Sequence, residues 1–159
     1  MSARALTDAA GTLLLCAWIG AALVVAVIVA PAAFAVLPSR SLAGALVGRV
    51  LPAIFWSGMA IGLVTAVLAW SLPHRAWSAG GAVVLALACG VAQLGVAPRI
   101  ERIRAGIDGA VDALDPADPR RQAFGRLHGM SVAWLALGGV AAGVVLVVLV
   151  RDLVFRRFP

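Results

Sequence analysis

The chain has 159 residues, 63% of them hydrophobic and only 13% charged, with a mean hydropathy of +1.04 and a formal net charge of +6. A typical soluble domain is roughly 45–50% apolar and about 25% charged. A chain this short has too much surface for its volume to hide that excess inside. A soluble domain is therefore excluded, and the apolar surface is expected to face lipid. All the basic residues are Arg, and Lys, Asn and Tyr are absent. That bias fits GC-rich coding and a bacterial source. A basic soluble protein would suggest nucleic acid, but here most Arg residues flank apolar segments, where they meet lipid headgroups and set orientation. Membrane lipids, and no nucleic acid, are the expected partners.

A spanning helix needs about 20 mostly apolar residues. The first candidate covers about 10–30 and is closed by Pro31; it is too long for the core of a cleaved signal and is read as a retained helix. Residues 41–50 are short and helix-prone. They either lie in the interface or extend the second helix, with Pro52 as its kink or first turn. The second span covers about 51–72 and the third about 77–97, closed by Pro98. The fourth covers about 127–150, with Arg151 and Asp152 at its exit.

The one large connection, 99–126, carries Arg99, Arg102, Arg104, Arg120, Arg121 and Arg126. Ile100, Ile103, Ile107, Val111 and Leu114 recur every three or four residues, which predicts an amphipathic helix of about four turns continuing the third span. Glu101 and Arg104 are spaced to pair at i, i+3. The run Asp115–Pro119 breaks that helix, and Asp118 is placed to cap a short return helix. The fold class read from these elements is all-α: one domain, a membrane bundle of four helices with the third extended outside the bilayer.

Arg40, Arg49, Arg99, Arg102, Arg104, Arg120, Arg121 and Arg126 fall on one side of this arrangement. Arg4, Arg75, Arg151, Arg156 and Arg157 fall on the other. The positive-inside rule then places the large loop in the cytoplasm and both termini outside, in a bacterial cytoplasmic (inner) membrane.

Chemistry is sparse. His128 opens the fourth span in RLHGMSVAW, and an ionisable group near membrane depth is a functional candidate by default. It is a conceivable haem or copper ligand, but His74, the only other histidine, falls at the opposite end by helix counting. No haem, copper or other cofactor is predicted. Arg49, Gln93 and Ser131 are the other polar candidates. The second helix's start, the third's end and the fourth's start share a side, so Arg49, Gln93 and His128, with Ser131 one turn on, would form a polar pocket if they converged. The plainer alternative is three interfacial side chains facing headgroups. Cys16 and Cys89 read as small buried hydrophobes, and no metal-ligand spacing occurs. Gly58-xxx-Gly62 and Gly139-xxx-Gly143 are spaced for close helix packing. Trp18, Trp56, Trp70, Trp77 and Trp134 read largely as an interfacial belt. No nucleophile elbow, P-loop, dinucleotide fingerprint or HExxH is present, so no catalytic residue is assigned and an enzyme is not expected.

The segment VAPAAFAVLPSRSLAGALVGRVLPAIF resembles the hallmark of the four-helix membrane family that includes transmembrane protein 205 and many bacterial proteins of unknown function. Pro31, Phe34, Leu37, Ala43, Gly44 and Phe55 stand at its characteristic places. APRIERIRAG is similar to the family's third-helix exit, and Phe124, His128 and Ser131 match the start of its fourth. Leu51 and Pro52 depart from it, standing where an aromatic pair is usual. The resemblance implies four-helix architecture and no established catalytic activity. A looser likeness to copper-resistance-type membrane proteins lacks their His and Met clusters. The sequence thus leaves two readings: a structural or accessory subunit of a membrane complex, with other subunits or itself as partner, or a small-ligand, metal or haem handling protein built around His128.

Overall fold

The computed structural model describes residues 3–70 and 76–155. The connection bearing His74 and Arg75, and the terminal Arg156 and Arg157, lie outside them. The described residues are helical with no strand. They form α1 (Ala3–Leu23), a π-helical turn (Val24–Val29), α2 (Ala30–Val36), α3 (Arg40–Trp70) and α4 (Ala76–Gly90). A second π turn (Val91–Val96), α5 (Ala97–Ala105), a 3-10 turn (Val111–Ala113) and α6 (Pro119–Phe155) complete the order.

Joined end to end, these make four rods long and apolar enough to cross a membrane: Leu6–Val36, Arg40–Ala69, Ala76–Ala105 and Pro119–Val154. The protein is a multi-pass, all-α four-helix membrane bundle. Its outer faces keep apolar side chains exposed, Leu13 at 71% and Val140 at 67% among them, as a lipid-facing wall requires.

Each rod is longer than its hydrophobic run. Pro31 and Pro98 were expected to end the first and third spans, yet both helices continue through them. Proline lacks an N–H and its ring crowds the carbonyl four residues back. Here the turn before each proline is widened: the Ala30 N–H bonds Val25 O and the Ala97 N–H bonds Ala92 O, both i→i−5. The wider turn leaves room for the ring. The same tripeptide, Val29-Ala30-Pro31 and Val96-Ala97-Pro98, ends both π turns.

Residues 41–50 extend the second helix, which Ser39 caps by accepting the Leu42 N–H at 3.2 Å; Pro52 lies inside it. The amphipathic extension is shorter than its periodicity implies. α5 stops at Ala105 because Gly106 follows, and Gly109 takes φ +110°, a region natural only to glycine. Ile107 still buries to 8% exposure, so the apolar face is used without the helix. Asp118 caps as expected, accepting the Arg120 N–H at 2.7 Å, but the helix it starts runs unbroken into the fourth span.

Neighbouring rods pack on one another in chain order, and α6 returns to α1. The core between them holds Leu15, Trp18, Phe55, Leu85, Cys89 and Val145. Trp18 is a core residue rather than part of a belt: it is 2% exposed, and its indole N–H donates to Ile54 O at 2.9 Å. Cys16, expected to be buried, is exposed, whereas Cys89 is buried.

Gly58 and Gly62 sit at close approaches. A Cβ at Gly58 would stand 2.6 Å from Cys89 Sγ, and one at Gly62 2.8 Å from Ala82 O and Ala86 N. Gly139 and Gly143, expected to act alike, do not: a Cβ at either meets nothing within 4 Å. On that helix Gly138 faces Leu85 and Trp18 instead, because one residue's shift turns the face by 100°.

Candidate functional site: a cavity at the loop end of the bundle

At the end of the bundle that carries the large loop, α3, α4–α5 and α6 enclose a cavity of about 460 Å³. That lies within the roughly 300–1,000 Å³ of small-molecule sites. From α3 it is lined by Arg40, Gly44, Gly48, Leu51, Pro52 and Phe55, residues that recur on one helix face. Gln93 and Arg104 line it from the third rod, His128 and Ser131 from α6, and Asp112 from the loop.

Three of the four polar residues singled out from sequence therefore converge: Gln93, His128 and Ser131. Arg49 does not. It is exposed and lies off the cavity, because its neighbour Gly48 holds the inward face. Its place is taken by Arg104, whose guanidinium lies over Gly44 and Gly48. Nη2 donates to Gly44 O at 3.2 Å, and a Cβ at Gly48 would stand 3.0 Å from Nη1. The expected pair with Glu101 forms at 3.3 Å. Arg104 Cζ also sits 5.3 Å from the centre of the Phe124 ring, which stacks on His128 with centroids 6.3 Å apart and planes 6° apart. The cation and the two rings thus form one continuous layer across the third and fourth rods.

The floor is polar. Gln93 lies in the second π turn, and its Oε1 is buried without a hydrogen-bond partner. An unpaired buried acceptor is costly, about 1–3 kcal/mol. Gln93 stands twelve residues in from Ala105, and Ser131 twelve in from Pro119. At 1.5 Å per residue both lie about 18 Å along their rods from the loop end.

The roof is the loop. Gly109, Val111 and Asp112 line the cavity. Arg121 Nη1 donates to Leu114 O at 2.6 Å and to Asp112 O at 3.4 Å. Beside it, Asp118 bonds the Arg120 guanidinium at 2.9 Å, and this hydrogen bond holds the Asp118 carboxyl below its usual value and raises Arg120.

α1 packs on α6, but neither the first π turn nor α2 forms an extensive packing interface with α6. Beyond the π turn at Val24–Val29, α2 packs on α3. Phe34 of α2 lines the cavity, on the side where α2 and α6 have no extensive contact with each other.

Among the described residues no three His, Cys, Asp or Glu side chains stand together as a metal site. His128, with Phe124 stacked on it, is the sole imidazole among the described residues that line the cavity. Other buried polar groups lie elsewhere. The Thr65 and Ser78 hydroxyls have no partner and lie outside the cavity. Asp8 is 1% exposed near the opposite end of the first rod, where its carbonyl accepts the Thr12 hydroxyl at 2.8 Å.

The family described as a domain of unknown function (DUF4149) matches residues 13–108, more than half of the chain, and the chain belongs to it. The match covers three of the four rods and stops within the loop; α6, which supplies His128 and Ser131, lies beyond it. No curated protein and no solved structure matches the chain.

Proposed function

We propose that this DUF4149 protein is a non-enzymatic membrane protein that binds a small amphipathic molecule drawn from the surrounding bilayer. The supporting observation is the convergence of Gln93, His128, Ser131 and Arg104 on one cavity, on whose α2 side α2 and α6 have no extensive contact. Of the two readings open from sequence, an accessory subunit and a ligand-handling protein, the cavity favours the second. The proposed ligand is an organic amphiphile rather than a metal or haem, because most of the lining is apolar and its polar groups are scattered along it. A relationship to the family of transmembrane protein 205 remains part of the proposal, resting on Pro31, Phe34, Gly44 and His128 in their order. Gly44 and His128 are now cavity residues.

The chemistry proposed is binding alone. The lining offers donors, acceptors and a cation–ring layer but no nucleophile paired with a base. The setting is a bacterial cytoplasmic membrane with the loop on the cytoplasmic side, as the arginine distribution indicates.

The test is extraction of small molecules from protein purified in mild detergent from its own membrane. Wild type is expected to carry one amphiphile at near-stoichiometric level. Ser131→Leu, which fills the floor, is expected to lose it while keeping its helical content. The same content in both proteins overturns the proposal.

A further inference from the structure

We infer that the ligand is a phospholipid with a zwitterionic, primary-ammonium headgroup, its phosphate held by Arg40 and its ammonium by Asp112. This rests on the reading of the cavity as a binding site and names what occupies it.

The inference comes from the charges left over in the lining. Arg104 is engaged by Glu101, Gly44 O and Phe124, and Arg121 by loop carbonyls. Arg40 and Asp112 line the same cavity, and neither side chain has a hydrogen bond or ion pair among the described residues. They do not pair with each other within 4 Å. One unpaired cation and one unpaired anion in the lining of one cavity complement a ligand carrying both signs. A purely anionic headgroup would leave Asp112 facing a like charge, which is costly at an interface.

Arginine suits phosphate because its planar fork bonds two oxygens at once. The position fits as well: Arg40 begins a rod whose length spans the bilayer with its headgroups, so it lies at phosphate level. From Arg40 to Phe55 is about 22 Å along α3. A cavity of about 460 Å³ along that face takes part of one hydrocarbon chain, with the rest of the lipid outside it. Leu51, Pro52 and Phe55 give that chain apolar walls. Because α2 and α6 have no extensive contact, the lipid is proposed to enter sideways between them, without its chains crossing water.

The test uses the full chain, delipidated in mild detergent and titrated with single lipids under native mass spectrometry. Phosphatidylethanolamine is expected to form a one-to-one adduct at least about tenfold tighter than phosphatidylglycerol or phosphatidylcholine of the same chains, the worth of one charge-assisted hydrogen bond. Arg40→Gln and Asp112→Asn are each expected to weaken it about tenfold, and Arg40→Lys to weaken it less. Both sites are exposed, so the variants keep the fold. Free phosphoethanolamine is expected not to compete at equal concentration, because it lacks the chain.

Equal binding of the three lipids, or an unchanged Asp112→Asn, overturns the headgroup assignment. Strong competition by free phosphoethanolamine overturns the lipid as its source. If another native amphiphile is carried by wild type and lost in Ser131→Leu while phosphatidylethanolamine fails to bind, the inference falls and the cavity reading stands. If nothing differs between wild type and Ser131→Leu, both fall.

Discussion

Glycine position decides packing residue by residue. A Cβ at Gly62 would press on the backbone of Ala82 and Ala86, which cannot rotate away. Gly62→Ala is therefore expected to lower unfolding stability in detergent by about 1–3 kcal/mol, the usual cost of overpacking. Gly139→Ala meets open space and relieves a flexible helical glycine, so it is expected to be neutral or stabilising by up to about 1 kcal/mol. Equal losses in the two would remove the distinction drawn between the glycine pairs. Spacing alone marks both pairs, and only the rotational phase of the fourth helix separates them. The same holds for the site. Gln93, His128 and Ser131 are legible because polar side chains are rare in apolar runs and these share a level. Arg49 misled because a 100° step separates it from Gly48. Arg104 was concealed by its local pair with Glu101, although Gly44-xxx-Gly48 is the signature of something large lying close to α3.

The Asp118 carboxylate is depressed by its bonds to Arg120, so its capping contribution is complete above the ordinary aspartate range and is lost only as pH falls through the lowered folded value. An NMR titration of its carboxyl carbon is expected to show a midpoint below the usual aspartate value, returning toward it in Arg120→Gln. A normal midpoint in wild type would contradict the observed pairing.

Among elements, the two π turns matter most. The hydrophobic runs fixed the number of helices, but rods end where backbone bonds end, and Pro31 and Pro98 mark π turns within rods rather than stops. Periodicity likewise showed which face of 100–114 would bury while missing that Gly106 and Gly109 forbid a continuous helix there. The first π turn leads into α2, whose Phe34 lines the cavity, and the second carries Gln93, so both serve the cavity. Removing the ring should let the first rod return to regular α-helical bonding. In Pro31→Ala, spin labels at positions 32 and 132 are expected to change their separation by several ångströms, because a regular turn redirects α2. An unchanged distance would show that packing on α3, and not the proline, sets the course of α2.

For the whole molecule, the arginine bias predicts that a cysteine at Asp115, in a background lacking Cys16 and Cys89, is protected from impermeant thiol reagents in intact cells and labelled once they are broken. Labelling in intact cells would reverse the proposed orientation. The four-helix bundle follows from composition and hydropathy, whereas the cavity depends on the π turns and on helix phase, which composition does not carry. Its occupancy is most directly read at Gln93, whose Oε1 is buried without a partner in the protein. The measurement is intermolecular NOEs from the Gln93 side-chain amide, in deuterated protein held in a bilayer disc of protonated phospholipid. Cross-peaks to lipid protons are predicted for wild type and their loss in Ser131→Leu. Cross-peaks to water alone in wild type would contradict a cavity filled from the bilayer.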